Sequence, residues 1–169
     1  MQKEELKDYT FRPMTIDDEP QVKNLDVISF KTPWPSDAFR YELMESNNSI
    51  CWIAEMQLPN EQPKVVGSVI VWIILDEAHV ATLAVKPEFR GLGIARRLLA
   101  ISLRVCKQRG ATQALLEVRR SNEDALHLYY GFGFEIEGIR PGYYADNHED
   151  ALLLTLKVLD AEKLAILAR

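Results

Sequence analysis

Cysteine is nearly absent from this sequence. Cys51 and Cys106 are the only two in 169 residues, far apart and in no Cys-x-x-Cys pair. That excludes a disulfide-stapled scaffold and a cysteine-built zinc site, and both thiols read as reduced core residues. Long hydrophobic runs are missing as well. The longest, residues 69–75, falls far short of the roughly 20 residues a membrane span needs. The three histidines, His79, His127 and His148, stand in no His-Glu-x-x-His pattern, so no metal site is expected. A basic excess is also lacking: 20 Lys and Arg against 25 Asp and Glu leave a net charge of -5, which speaks against a protein that coats nucleic acid. Residues 1–5 are charged and carry no apolar stretch, so no secretory signal is expected and the reading is cytoplasmic.

With 47% hydrophobic and 27% charged residues, the composition is that of one globular domain. A short strand is predicted over 10–14. A helix follows that Thr15 caps and that carries Asp17, Asp18 and Glu19 in its first turn. Pro33 and Pro35 bracket Trp34 in a loop that cannot be helical, and Ser36-Asp37 opens a second helix over 38–45. Strands are predicted over 49–56, 65–75 and 79–85, joined as antiparallel hairpins. Apolar or small residues at 94, 95, 98, 99, 102, 105 and 106 mark an amphipathic helix that Gly110 ends. A strand over 113–119 and a helix over 125–130 follow, the latter broken by the Gly131-Phe132-Gly133 segment. Strands over 134–139 and 151–158 flank a loop at 141–149. The fold class is therefore mixed α/β. Residues 10–158 form the expected domain, and 1–9 and 159–169 the expected terminal extensions.

A strand that feeds a Gly-rich turn into a helix N-terminus can hold phosphate, because the first-turn N–H groups have no intrahelical partners. Three such turns compete for residues 90–96. A dinucleotide fingerprint would need a third glycine where Arg96 stands, and a P-loop would need a Gly-Lys-Ser/Thr run that is absent. The pattern Arg-x-x-Gly-x-Ala is met by Arg90, Gly93 and Ala95, and small residues at 93 and 95 admit a pyrophosphate close to the backbone. A ligand-free turn stays open on this pattern alone.

The run Leu83-Ala84-Val85-x-Pro87-x-Phe89-Arg90-Gly91-x-Gly93-x-Ala95 resembles the GCN5-related N-acetyltransferase superfamily. So does Asn122 followed by Ala125, Leu128-Tyr129 and Gly133-Phe134. Pro33-Trp34-Pro35, Leu116-Glu117-Val118-Arg119-x-Ser121-Asn122, Arg140-x-x-Tyr143-Tyr144 and Glu149-Asp150-Ala151 are similar to the ribosomal-protein-alanine N-acetyltransferases within it. The resemblance implies about seven strands in a mostly antiparallel sheet, splayed between the fourth and fifth, with flanking helices. It also implies acetyl-CoA in that gap, without a metal. Backbone groups of Leu83, Ala84 and Val85 would meet pantetheine. The N–H groups of Arg90, Gly91, Leu92, Gly93, Ile94 and Ala95 would take the pyrophosphate, with Asn122 a further cofactor contact.

Acetyl transfer to an amine needs a base for the ammonium proton and an acid for the leaving thiolate. Glu117 interrupts an apolar strand beside the expected gap. Its pattern alone suits a base or an ordinary exposed glutamate, and the resemblance implies the base. Tyr129 and Tyr130 are helical neighbours about 100° apart, so only one can face the gap. The resemblance implies Tyr129 as the acid. His79 reads as a hairpin-end residue on its own, while the resemblance implies contact with the acceptor. Trp34, Tyr143 and Tyr144 fall on loops that would wall a peptide groove, although Trp34 equally suits a loop-pinning plug. Arg96, Arg97 and Arg104 read as a solvated helix face. The implied activity is transfer of acetyl to a protein α-amine, plausible for an alanine-starting ribosomal protein. No nucleic acid or membrane partner is expected. Alternatives are a small-molecule amine acetyltransferase and a non-catalytic acyl-CoA-binding module.

Overall fold

The computed structural model describes residues 9–169; residues 1–8, most of the expected N-terminal extension, lie outside the described residues. Seven strands, β1 (Tyr9–Pro13), β2 (Ser49–Met56), β3 (Lys64–Ile74), β4 (Glu77–Val85), β5 (Gln113–Arg119), β6 (Glu135–Arg140) and β7 (Ala151–Leu156), form one sheet. Its order is β1-β2-β3-β4-β5-β7-β6. Five helices flank it: α1 (Glu19–Ser29), α2 (Ala38–Met44), α3 (Ile94–Gln108), α4 (Glu123–Phe132) and α5 (Ala161–Leu167). Among these helices, none is long and apolar enough to cross a membrane.

Every pairing is antiparallel except β4 with β5, which is parallel and lasts only three rungs: Glu77 with Gln113, Ala78 with Ala114, and His79 with Leu115. Beyond His79 the two strands share no ladder, and the sheet opens there as the resemblance implied. The opening coincides with a bulge. Thr82 faces Ile70 while Val80 faces Val71, so Ala81 is one residue too many on β4. A bulge bends its strand and increases the local twist, which turns β4 away from β5.

The register also sorts the two faces. Val69, Val71, Ala78, Ala114, Leu116 and Val118 pack with Ile94, Leu98, Leu99 and Leu103 of α3. Ile53, Ile70 and Ala84 pack on the other side with Val22, Leu25 and Phe39 of α1 and α2. The buried residues of α3 recur three to four apart, so they form one stripe along the helix. At Gly67 of β3 an added Cβ would stand 3.0 Å from Leu98 and 3.3 Å from a backbone oxygen, so α3 lies against the sheet where only glycine fits. Two of the departures from expectation bear on the packing. Helix α4 continues through Gly131 and ends at Gly133, whose φ of +99° is the left-handed turn that stops it. The tail, in turn, buries Leu159, Leu164 and Ala168 in the same core as α3, so residues 159–169 contribute to the domain's packing.

Candidate active site

The gap between β4 and β5 is lined first by main chain. Lys86 N donates to Val66 O at 2.9 Å. Bonded pairs alternate along an antiparallel ladder, so the register puts Ala84 with Ser68 and Thr82 with Ile70 in that same bonded class. The main chains of Leu83 and Val85 therefore point away from β3, toward the gap. Ala84, between them, commits its own to β3. Arg90 Nε donates to Val85 O at 3.1 Å and ties the Gly-rich turn to the strand end.

Arg90 N donates to Pro87 O at 3.2 Å, and the next backbone N–H to find an acceptor is that of Arg97, which reaches Gly93 O at 3.0 Å. The six N–H groups from Gly91 to Arg96 have no partner among the described residues. The free run is thus shifted by one from the expected 90–95. The short 3-10 turn over Pro87–Phe89 captures Arg90, and Arg96 joins the run. Gly91 and Gly93 hold φ of +77° and +82°. Left-handed residues within such a turn let successive N–H groups converge, and the dipole of α3 adds positive potential. A Cβ on Gly91 would meet nothing within 4 Å, so the turn is open on that side. Leu92 is half-buried and Ile94 is buried, so their side chains pack on the core and only their main chain is offered at the turn. On the β5 side, Asn122 Oδ1 caps α4 by accepting from Ala125 N at 3.2 Å. Its amide NH2 has no partner among the described residues.

Side chains line the rest. His79 is level with Leu115, and strand residues two apart share a face, so Glu117 and Arg119 lie on the His79 side of the sheet. Glu117 is solvent-accessible there, with Arg140 Nη2 at 3.2 Å from Oε1. The nearby Glu117 carboxylate also raises the pKa of the Tyr143 phenol. Arg119 stacks its guanidinium 3.8 Å over Tyr144 and pairs with Asp146 at 3.1 Å and Glu149 at 3.6 Å. The Tyr143 and Tyr144 rings meet edge to face at 5.2 Å. Tyr129 is 8% exposed, whereas Tyr130 is 47% exposed. Burial, then the neighbouring Tyr144, pushes the Tyr129 phenol up to about 12. Its ring packs on Phe134 at 5.7 Å, and its hydroxyl has no hydrogen-bond partner among the described residues.

The carboxylate of Glu117 on β5 and the phenol of Tyr129 on the helix that follows thus accompany a gap whose Gly-rich turn carries N–H groups without partners among the described residues. The Acetyltransferase (GNAT) family model matches residues 19–134. The chain belongs to the GNAT acetyltransferase family. It is therefore an acyltransferase. A Bacillus subtilis relative, provisionally named ribosomal protein bS18-alanine N-acetyltransferase, is 35% identical over 147 residues, covering 87% of this chain and 94% of its own. The crystal structure of the ribosomal-protein-S18-alanine N-acetyltransferase from Escherichia coli superposes with a TM-score of 0.77 at 28% identity, over 90% of this chain and 96% of that one. Arabidopsis thaliana NAA60 in complex with acetyl-CoA shares the fold, with a TM-score of 0.80 at 19% identity, over 89% and 99% of the two chains.

In this GNAT domain the loops around the mouth of the gap are held by residues that the motifs do not mark. Trp34 N donates to Asp26 Oδ2 at 2.7 Å. The Trp34 indole stacks on Phe39 at 5.2 Å and on Trp72 at 5.9 Å, which is the plug geometry. Trp72 is the cross-strand partner of His79, so the plug sits beside the mouth of the gap. His79 Nε2 lies 2.8 Å from Glu77 Oε2, and Glu77 Oε1 accepts from Gln113 at 3.0 Å, a bridge across the last rungs before the opening. Lys31 Nζ, 3.9 Å from Asp146, links the α1–α2 loop to the β6–β7 loop. Arg97, expected as solvated, stacks its guanidinium 4.6 Å from the Phe11 ring centroid on β1. Burial pushes both thiols up to about 12, and neither lies among the residues of the gap, so neither is placed to act as a nucleophile.

Proposed function

We propose that this acetyltransferase takes acetyl from acetyl-CoA and delivers it to the α-amine of a protein N-terminus by direct transfer, without an acyl-enzyme. An alanine-starting ribosomal protein is the acceptor class favoured by the relatives' names. The run of six free N–H groups leading into the first turn of α3 suits a pyrophosphate, and the gap-facing main chain of Leu83, with the N–H of Val85, suits a pantetheine amide chain. The observation that carries the acceptor assignment is the company Glu117 keeps. Arg140 pairs with its carboxylate, Tyr143 and Tyr144 stand beside it, and Trp34 stacks on Trp72 next to His79, aromatic side chains that suit an acceptor groove.

A protein α-amine has a pKa of about 7.7 to 8.0 and arrives mostly as the ammonium. Glu117 removes that proton, and the freed lone pair attacks the thioester carbonyl. Collapse of the tetrahedral intermediate forms the amide and breaks the C–S bond. Tyr129 donates a hydrogen bond to the leaving sulfur. Handing over its proton outright, from a pKa of about 12 to a thiolate near 8.5, would be uphill by about 5 kcal/mol. Transfer to sulfur therefore accompanies the arrival of the second nitrogen proton at the phenol. The balance is one ammonium and one thioester in, and one amide, one thiol and one proton out.

Mass spectrometry of a peptide library varied at its first two residues, incubated with acetyl-CoA, tests the assignment. The expected product is acetyl on the α-amine. Acetylation confined to lysine side chains, or turnover of polyamines and aminoglycosides alone, would overturn it.

A further inference from the structure

The site holds two arginines with different attachments. Arg119 is fixed by Asp146, Glu149, Asn147 and the face of Tyr144. Arg140 has a single carboxylate partner, Glu117, and its guanidinium otherwise lies only near the Tyr143 ring at 5.5 Å. Its side chain is 54% exposed, at the end of edge strand β6, and Glu117 has no other cation within ion-pair distance among the described residues. Exposed pairs of this kind contribute little, so this one exchanges readily. It also conflicts with the chemistry. A guanidinium cannot give up a proton, so a carboxylate oxygen that it occupies cannot take one from an ammonium.

Resting on the assignment of Glu117 as base, we propose that Arg140 is the resting counter-ion of Glu117, displaced by the incoming α-ammonium. It is a positioning residue. In the empty groove it holds the carboxylate aimed, with Tyr143 close by. When the acceptor arrives, one cation replaces another. The ammonium takes the Oε1 position and Arg140 swings to solvent, where its exposure already places much of it. The exchange lowers apparent acceptor affinity and selects for acceptors that arrive as cations. No charge is left uncompensated at any stage, because Glu117 holds one cation before binding and another after it.

The test is the KM-against-kcat split for an alanine-starting peptide at saturating acetyl-CoA, with calorimetry of the same peptide on the CoA-bound enzyme. Arg140→Met, which keeps the stem and removes the charge, is expected to lower KM and Kd two- to five-fold, the range matching an exposed pair of up to about 1 kcal/mol. The change in kcat should be smaller than that in KM. Arg140→Lys should return both constants to the wild-type values. In a Glu117→Gln background, where no resting pair exists, Arg140→Met should leave Kd where Glu117→Gln alone puts it. A KM or Kd that is unchanged or higher in Arg140→Met overturns the counter-ion exchange and makes Arg140 a bystander or a lasting anchor. A wild-type enzyme that ignores peptides and acetylates only another amine defeats the function proposed above. The same KM comparison on that amine still decides the exchange.

Discussion

Replacing Tyr129 with Phe removes one oxygen from a buried ring and leaves its contact with Phe134 intact. The hydroxyl has no hydrogen-bond partner among the described residues, so thermal stability should change by less than about 0.5 kcal/mol. Catalysis should change far more. A phenol near 12 is too weak an acid to protonate the thiolate in advance, so its part is a hydrogen bond to charge developing on sulfur. Single donors of that kind are worth on the order of 10²- to 10³-fold in kcat. We expect a loss of about 10²-fold, equivalent to about 2.7 kcal/mol in the barrier. Thiol release, followed with a colorimetric disulfide reagent, gives the rate, and calorimetry gives CoA affinity as a control. Because the donor acts on sulfur, the loss should shrink with an acetyl thioester whose thiol is more acidic. A Tyr129→Phe enzyme within threefold of wild type, with unchanged CoA affinity, would refute the role. So would a loss that ignores the leaving group.

Glu117→Gln keeps the shape and removes the base, and should lower kcat by at least roughly 10²-fold, with partial recovery at alkaline pH where the amine deprotonates itself. Gly93→Asp places a side chain on a left-handed residue and a negative charge on the free N–H run. CoA affinity should fall at least tenfold by calorimetry, and an unaltered Kd would remove the pyrophosphate assignment. Burial raises the Asp26 carboxyl, so the folded state holds that proton more tightly than the unfolded chain does. The stability this group contributes is complete below the ordinary carboxylate range and is lost as pH rises through the raised value. Asp26→Asn, which still accepts from Trp34 N, should therefore melt higher than wild type at pH 7. That advantage should vanish in acid, and a lower melting temperature at pH 7 would contradict the burial argument.

Features fixed by neighbouring residues were legible in the sequence. Strands β2 and β5 begin and end at the predicted residues, and Gly93 opens α3 as its position in the turn requires. Features fixed by distant register were not. Arg140 stands 23 positions from Glu117 and reaches it only because β7 lies between β5 and β6. Nothing in the apolar run of β3 marks Trp72 as the platform under Trp34, since a mid-strand tryptophan looks the same in any core. The one-residue shift of the free N–H run depends on a 3-10 turn at Pro87, whose hydrogen bond to Arg90 follows no residue-type rule. The burial of Leu159, Leu164 and Ala168 needed the position of α3, not the pattern of the tail.

The donor half is built from main chain: the outward face of β4 and the N–H groups of a turn held by two left-handed glycines. Moving it would disturb a core that α3 shares with β3 at Gly67. The proposed acceptor half is built from side chains on two loops, joined to each other by Lys31 with Asp146 and tied to β5 by Arg119 with Glu149. Exposed pairs like Lys31 with Asp146 contribute little, so the loops can be re-cut without moving the donor. A fold divided this way keeps its acyl donor while its acceptor changes. On the acceptor assignment proposed above, the groove loops, more than the glycine turn, decide which amine is acetylated.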